Sequence, residues 1–342
     1  MNVDSSLSFV KYPHFSIKNC DLYFLGQKIL SLSSTELDIL NACENGMQFS
    51  KISKETDFEL EILEKTIIHF LKKYIIFPVS PKSSLPTDCS ILTVEPHCDD
   101  VCFSLTGTLI QNSTNGKGSK ILNIFSTSSY IQSGLQKYMN QSNNFEYISN
   151  IRKSENKMFA NIIGAQIEFC DIQEAIIRGY KNVYIEPHRA DMNLFTKLKE
   201  LIISKVKNEN FRTIFFPLGV GKHVDHVLLS NLAIDIIQDT YIKKNVQVFL
   251  YEDLPYAHDQ IAYYERLGEL RLRYKLNLIP HYSDITFFIE KKSLACSIFR
   301  TQVHPNFGEQ LKRFAKSLCY ARIMQDETVD PNCFYERIWS IN

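Results

Sequence analysis

Hydrophobic positions follow a helical period in the first part of the chain. Leu60, Leu63 and Ile67 recur at intervals of three and four residues, which predicts an amphipathic helix. Upstream, Ser33 and Glu36 have the spacing of a capping box, in which each side chain accepts from the backbone N–H of the other. With a second short helix starting at Ser50, the pattern predicts three helices in this region.

The end of this region has a different pattern. Residues 75–79 are β-prone and complete a predicted hairpin wing, so three helices and a wing span 1–80. Such an arrangement resembles a winged-helix module and the small peptide-binding domains of the PqqD type. The third helix lacks the positive charge of a DNA-reading helix, because acidic residues offset its lysines: Glu59, Glu61, Glu64, Lys65, Lys72 and Lys73. We expect a module that binds a partner, or one that packs over the remaining chain.

Beyond a proline-containing linker at 81–86, short β-rich runs alternate with helix-length segments. This alternation predicts an α/β domain over 87–342, with a Rossmann-like, mostly parallel sheet covered by helices on both faces. The predicted strands are 91–94, 120–125, 212–216, 246–250 and 285–289. Ligands bind beyond the carboxyl ends of such strands, so reactive groups are expected directly after each run.

One imidazole and two carboxylates follow the first of these strands. His97, Asp99 and Asp100 lie within four residues at a predicted strand-to-helix turn. Burying two adjacent carboxylates is costly unless a cation or hydrogen bonds compensate them, and a divalent metal ion does so directly. The alternative interpretation is a solvent-exposed turn.

A second polar group follows the strand predicted at 212–216. His223 and His226 lie three residues apart at a predicted helix start, so both rings can face one site. Asp225 can orient an imidazole by accepting its second N–H. Together with the first motif, this group provides enough ligands for a catalytic metal with an open coordination position.

The two motifs together resemble those of the PIG-L/LmbE-like zinc-dependent de-N-acetylases. The matching stretches are PHCDD at 96–100, FSLTGTL at 103–109, RKSE at 152–155, PLGVGKHVDH at 217–226, YEDLPYA at 251–257 and FRTQ at 299–302. The resemblance covers about 90–302 and leaves the N-terminal module outside it. It implies a Rossmann-like fold, one divalent metal ion, and removal of an acyl group, usually acetyl, from the nitrogen of an amino sugar or related metabolite.

The resemblance also implies roles for individual residues. The implied ligands of the metal, zinc by default, are His97, Asp100 and His226. Asp99 matches the general base, and His223 matches the histidine that assists at the developing oxyanion. We expect His223 to be cationic, with Asp225 favouring the charged ring.

Further polar residues follow other predicted strands. Arg178 lies in a loop, where it can bind a substrate hydroxyl, carboxylate or phosphate, or remain a surface cation. Glu252 and Asp253 follow the strand at 246–250 and can accept hydrogen bonds from sugar hydroxyls or from the motif histidines. Arg152 and Glu155, three apart on a helix, are expected to form a structural ion pair.

Composition narrows the class of protein. The 342 residues include 38 basic and 38 acidic side chains, a balance that argues against a nucleic-acid partner bound through many phosphates. The nine cysteines form no CxxC pair, so a disulfide framework is not expected. We find neither a secretory signal pattern nor an apolar run long enough for a membrane span, and we expect a cytoplasmic protein.

The substrate remains open at this level. The leading hypothesis is a small N-acylated substrate resembling an amino sugar. A second is a peptide- or carrier-bound substrate recruited by the N-terminal module, and a third is a non-catalytic metal-binding regulatory protein. Retention of Asp99 and His223 argues against the third, since a metal sensor needs neither.

Overall fold

The computed structural model describes most of the chain. The described residues are 7–43, 46–55, 58–79, 89–132, 135, 145–188, 191–304, 306–325 and 328–341. The predicted linker at 81–86 lies outside them.

Two small antiparallel sheets and three helices form the described part of the N-terminal module. Its strands are β1 Ser8–Lys11, β2 Phe15–Lys18, β3 Asp21–Phe24, β4 Gln27–Ser31, β5 Met47–Gln48 and β6 Ile76–Val79. Its helices are α1 Ser34–Ala42, α2 Phe49–Glu55 and α3 Leu60–Lys72. One sheet has the strand order β5, β1, β6, and the other has the order β2, β3, β4.

The three predicted helices are present, whereas the strands of the module differ from the prediction. Ser33 and Glu36 form the predicted capping box, and α3 buries Leu63 and Ile67 as its spacing predicts. The strands β1 to β4 were not predicted. Strand β6 pairs with the distant β1 instead of forming a hairpin, because its partner is chosen by tertiary packing rather than by a local turn.

The remaining elements build the α/β part. Its strands are β7 Cys89–Glu95, β8 Gly118–Asn123, β9 Gln166–Phe169, β10 Thr213–Pro217, β11 Gln247–Tyr251, β12 Leu278–Asp284 and β13 Tyr335–Ile341. Its helices are α4 Asp100–Thr114, α5 Phe145–Ile163, α6 Met192–Asn208, α7 Val224–Ile236, α8 Thr240–Asn245, α9 Gln260–Leu272, α10 Ile289–Cys296 and α11 Phe307–Ile323. The predicted mixed α/β fold with a mostly parallel sheet is therefore confirmed.

The order of the strands positions the site. The seven-stranded sheet has the order β12, β13, β11, β10, β7, β8, β9. Strands β7 to β11 are parallel to one another, and β13 runs antiparallel to both of its neighbours, β11 and β12. From β7 the chain first runs outward through β8 and β9 and then crosses to β10 on the other side. The order reverses between β7 and β10, which is where ligands bind in such sheets.

The strand predicted at 285–289 is wrong. A short 3-10 helix at Thr286–Phe288 and the start of α10 occupy this apolar run, and the strand is the preceding β12. Asp284 accepts the backbone N–H of Thr286 at 2.9 Å, which turns the chain. Phe287 is 95% exposed, so the apolar letters do not mark a buried strand here.

One hydrophobic cluster extends through both parts of the chain. It includes Phe9 and Phe70 from the module as well as Phe159 and Phe299 from the α/β part, all without solvent exposure. The two parts therefore pack against each other. Among the described helices, none has both the length and the apolar character that a membrane crossing requires.

Candidate active site

A cavity of about 380 Å³ opens at the carboxyl edge of β7 and β10. Its polar lining comprises His97, Asp99, Asp100, Arg152, Glu174, His223 and Gln302. Its apolar and aromatic lining includes Phe103, Tyr130, Ile176, Tyr184, Leu254, Tyr256 and Val303. The two sequence motifs thus meet in one cavity, at the position that the strand order predicts.

Backbone geometry fixes the first motif. Asp99 precedes α4, and Asp100 is its first residue. The Asp100 carboxylate turns back and accepts the backbone N–H of His97 at 2.8 Å, which holds both side chains at the end of β7. Asp100 is 5% exposed. The alternative of a solvent-exposed turn does not describe this segment.

The second motif depends on two glycines before α7. Gly219 and Gly221 have φ of 84° and 78°, which favours residues without a side chain. At Gly221 an added Cβ would lie 2.8 Å from the Tyr256 ring, which lines the cavity. The turn delivers His223 to the start of α7, where its Nδ1 accepts the backbone N–H of Asp225 at 3.3 Å.

Three potential ligand atoms form a nearly equilateral triangle. His97 Nδ1 lies 3.3 Å from Asp100 Oδ2 and 3.3 Å from His226 Nε2, and His226 Nε2 lies 3.4 Å from Asp100 Oδ2. A tetrahedral zinc ion with ligands at about 2.0–2.1 Å has ligand-to-ligand distances of roughly 3.3–3.4 Å. The side chains therefore fit a divalent metal ion without rearrangement.

A third histidine lies beside this triangle. One ring nitrogen each of His97, His223 and His226 falls within 4.8 Å of the other two. All three edges of the triangle that contains Asp100 are 3.3–3.4 Å, which is the spacing of tetrahedral ligands. His223 lies next to this triangle and lines the same cavity.

The outer nitrogens of both ligand-like rings are held by buried carboxylates. His97 Nε2 lies 3.1 Å from Asp225 Oδ2, and His226 Nδ1 lies 2.6 Å from Asp253 Oδ1. Both carboxylates have no solvent exposure. A carboxylate behind each imidazole fixes the ring and its tautomer, an arrangement that is common around protein-bound metals.

The charges of this cluster compensate one another. Burial alone would lower the pKa of His97 and of His226, but neighbouring carboxylates, Asp100 above all, raise both. Burial alone would raise the pKa of Asp100, whereas His226 and His97 lower it to about 2. Asp100 is therefore an anion at neutral pH, as a metal ligand must be.

Asp99 has a different environment. Burial, followed by repulsion from Asp100, raises the pKa of Asp99 to about 6. Arg152 opposes this shift, with Nη2 3.8 Å from Asp99 Oδ1. Asp99 makes no side-chain cap bond to α4, so its carboxylate is not engaged by the helix. It faces the cavity as a carboxylate whose pKa lies close to neutral pH.

His223 differs from the expectation of a cationic ring. Burial, together with the nearby rings of His97 and His226, lowers the pKa of His223 to about 3. Asp225 contacts His97 through its carboxylate and His223 only through its backbone N–H. Because Nδ1 accepts that N–H, the neutral ring carries its proton on Nε2 and presents a hydrogen-bond donor.

Two predicted substrate-binding residues lie behind the site. Arg178 donates to Asp225 Oδ1 at 2.7 Å and pairs with Asp191, so it supports the carboxylate that holds His97. Glu252 accepts from Arg337 at 2.5 Å and from Trp339 Nε1 at 3.1 Å. Neither residue lines the cavity described above. The third, Asp253, contacts His226, one of the two partners that the sequence allowed for it.

The structure adds residues that the sequence did not single out for the site. Arg152 pairs with Glu174 and approaches Asp99, so it faces the cavity, whereas Glu155 faces away from Arg152 toward other partners. The expected Arg152 to Glu155 ion pair is not formed. Their i, i+3 spacing was the available signal, but it does not reveal which helix face meets the site.

A known protein family matches part of the chain. Residues 92–237 match the model of the PIG-L family, described as GlcNAc-PI de-N-acetylase. The chain is 24% identical over 231 residues to 2'-N-acetylparomamine deacetylase from Streptomyces fradiae, covering 66% of this chain and 77% of that relative.

Solved structures share the fold. The zinc-inhibited form of teicoplanin deacetylase Orf2 matches with a TM-score of 0.56 at 16% identity, over 74% of this chain and 97% of that one. GalB, the 4-carboxy-2-hydroxymuconate hydratase of Pseudomonas putida KT2440, matches with a TM-score of 0.53 at 18% identity, over 74% and 95%. Because a deacetylase and a hydratase share it, the fold alone does not determine the reaction. Residues 92–237 nevertheless carry the sequence pattern of the PIG-L family, and the chain has deacetylases among its relatives.

Proposed function

We propose that this protein is a metal-dependent de-N-acylase that removes an acetyl group from the nitrogen of an amino sugar or a related metabolite. The proposal rests chiefly on one observation. The triangle of His97, Asp100 and His226 has the spacing of metal ligands, and Asp99 stands beside it in the same cavity. The Streptomyces fradiae relative is a 2'-N-acetylparomamine deacetylase, whose name describes the same reaction on an N-acetylated amino sugar.

The proposed metal ligands are His97, Asp100 and His226. Zinc is the default ion for two imidazoles and a carboxylate, although iron, cobalt and manganese accept the same donors. When bound, a divalent ion supplies a Lewis acid for the acyl oxygen and lowers the pKa of a coordinated water. Asp225 and Asp253 keep the two rings oriented for this task.

We assign Asp99 as the general base. Its carboxylate accepts a proton from the attacking water, whose oxygen forms a bond to the acyl carbon. The same proton then passes to the amide nitrogen as the C–N bond breaks, which yields a carboxylate and an amine. Arg152, 3.8 Å from Asp99, favours the anionic form that starts this cycle.

His223 is proposed to stabilise the oxyanion as a neutral donor. Its Nδ1 accepts the Asp225 N–H, which leaves the proton on Nε2 as the donor for the substrate. Loss of one preorganised oxyanion donor typically costs about a hundredfold or more in rate. The role assigned to His223 from the sequence is thus retained, while its assumed positive charge is replaced by a hydrogen bond.

The rim of the cavity suits a sugar. Ile176 and Tyr184 are each 55% exposed and Tyr130 is 49% exposed, and all three line the cavity. Aromatic rings pack against the apolar face of a sugar while its hydroxyls remain hydrated.

All nine cysteines are free, which suits a reducing compartment, and we propose the cytoplasm.

The test combines metal analysis with a substrate screen. Purified protein is analysed for bound zinc, iron, cobalt and manganese, then incubated with N-acetylglucosamine, 2'-N-acetylparomamine and an N-acetylated peptide. We expect released acetate and free amine from at least one sugar, loss of activity with a chelator, and recovery with zinc. Turnover of the peptide alone would favour the peptide- or carrier-bound substrate. A metal-loaded protein that releases acetate from none of them contradicts the proposal.

A further inference from the structure

Glu155 joins the N-terminal module to the α/β part. It lies on α5, and its Oε1 accepts the hydroxyl of Tyr12, which follows β1 of the module, at 2.5 Å. Both side chains have no solvent exposure. A hydrogen bond to a buried acidic group is among the stronger single contacts in a protein, so this contact fixes the two parts relative to each other.

The same carboxylate holds the segment at 300–303, here called the wall segment. Thr301 donates its backbone N–H to Glu155 Oε1 at 3.1 Å and its hydroxyl to Oε2 at 2.5 Å. The Thr301 oxygen in turn accepts from Gln302 Nε2 at 2.7 Å. A continuous chain of hydrogen bonds therefore runs from Tyr12 to the amide of Gln302.

Arg300 attaches the wall segment to the module a second time. Its Nη2 donates to the carbonyl oxygens of Lys73 and Tyr74 at 2.9 and 2.5 Å. Its guanidinium also lies 5.1 and 5.0 Å from the ring centroids of Tyr12 and Phe15. These partners belong to the module, so the module sets the position of the wall segment from one side.

The other side of the wall segment forms part of the catalytic cavity. Gln302 and Val303 line it together with His97, Asp99 and His223. Gln302 is 5% exposed, and within the described residues its Oε1 has no hydrogen-bond partner. An amide that is fixed through its nitrogen, with an unpaired oxygen, suits a position next to a ligand that brings a donor.

We propose that the N-terminal module is a built-in part of the substrate site, in which Tyr12 and Glu155 are positioning residues that set the wall segment. This inference rests on the proposed de-N-acylase function. Neither residue lines the cavity, so they act through Thr301 and Gln302. A preorganised wall strengthens substrate binding because less ordering is needed when the substrate enters. The module is then required for substrate affinity even where no partner protein is present.

The test compares matched substitutions in the full chain. Tyr12→Phe removes the hydroxyl and keeps the ring. Tyr23→Phe is the control, because the Tyr23 hydroxyl makes no hydrogen bond in the described part of the module. Thr301→Val removes the second donor, and Thr301→Ser restores it. With the acetylated sugar that the unmodified protein hydrolyses, we expect Tyr12→Phe and Thr301→Val to raise KM about tenfold with little change in kcat.

A second readout does not depend on turnover. Binding of the same sugar, N-acetylglucosamine or 2'-N-acetylparomamine, to chelator-treated protein, measured by calorimetry, should weaken by the same factor in Tyr12→Phe and Thr301→Val and stay unchanged in Tyr23→Phe and Thr301→Ser. The double variant Tyr12→Phe with Thr301→Val should be no weaker than the poorer single variant, since both act through Glu155. Thermal unfolding identifies any variant that fails to fold. If Tyr12→Phe does not fold, the comparison of Thr301→Val with Thr301→Ser provides the test.

Two results overturn the proposal. One is an unchanged KM and an unchanged dissociation constant in both Tyr12→Phe and Thr301→Val. The other is an equal loss of kcat in Thr301→Val and Thr301→Ser, which indicates a general packing effect rather than positioning. Failure of the proposed function is separate, because it appears as absence of acetate release from the unmodified, metal-loaded protein.

Discussion

His226 Nδ1 lies 2.6 Å from Oδ1 of Asp253, a carboxylate without solvent exposure. The other oxygen of Asp253 accepts the backbone N–H groups of Gly219 and Val220 at 2.7 and 3.0 Å. One side chain therefore fixes both a ligand-like ring and the turn that precedes its helix. Asp253 lies just after β11, which pairs in parallel with β10. This pairing places Asp253 beside the turn that follows β10.

Asp253→Asn should weaken metal binding about 10- to 100-fold, because an amide orients the His226 ring less firmly than a carboxylate does. The affinity is measured by competition with a chromophoric chelator. Glu252→Gln is the control, since Glu252 contacts Arg337 and Trp339 instead of a histidine. Equal affinities of Asp253→Asn and the unmodified protein would contradict the orienting role.

Asp99→Asn should retain the metal and lose about two to four orders of magnitude in kcat, because the amide cannot accept the proton of water. Metal content and acetate release are measured on the same sample. Asp38→Asn removes an exposed carboxylate of the module and should leave both values unchanged. Normal turnover by Asp99→Asn would rule out Asp99 as the base.

His226→Ala and Asp100→Asn should each lose the bound metal, because each removes one corner of the triangle described above. Metal is quantified by mass spectrometry after gel filtration. His69→Ala, on the exposed face of α3, should bind as much metal as the unmodified protein. Full metal occupancy in His226→Ala would show that His226 is not a ligand and would indicate another residue, for example His223.

His14 makes the attachment of the module sensitive to acid. Its Nε2 lies 3.1 Å from the carbonyl oxygen of Ile151 and 2.6 Å from Ser154 Oγ, and burial lowers its pKa below 6.5. Between that lowered value and 6.5 the unfolded chain binds more protons at this position than the folded chain. The contribution of neutral His14 to stability is therefore present above pH 6.5 and is lost as the pH falls.

Chemical denaturation across this range measures the effect. The difference in unfolding free energy between the unmodified protein and His14→Gln should shift against the unmodified protein on acidification, since Gln does not titrate. A pH-independent difference between the unmodified protein and His14→Gln would contradict a buried neutral ring.

Local sequence patterns predicted the three helices of the N-terminal module and most of the central strands. The capping box at Ser33 and Glu36, and the spacing of Leu63 and Ile67 on α3, depend on neighbours within one or two turns. The apolar run at 285–289 was wrongly predicted as a strand. It lies on a 3-10 turn, where Asp284 accepts the backbone N–H of Thr286 and turns the chain. Strands β1 to β4 are short, and their pairing is decided by contacts that a window of sequence does not contain.

For the site, too, the sequence predicted some features and missed others. His97, Asp99, Asp100, His223 and His226 were found from the sequence because their motifs stand at strand ends, and a parallel sheet brings strand ends to one edge. Glu252 also directly follows a strand, yet its side chain turns to Arg337 and Trp339, and Arg178, in the loop after β9, donates to Asp225. Strand position predicts which edge a residue occupies, but not the direction of its side chain.

By itself, the sequence determined the class of fold, the two polar motifs and the residue types that suit a divalent metal. Only the tertiary structure decided the distances among His97, Asp100 and His226, the burial that lowers the pKa of His223, and the contact of Tyr12 with Glu155. The physical reason is that composition and periodicity are local properties, whereas burial, electrostatic fields and contacts across 143 residues exist only in the packed chain.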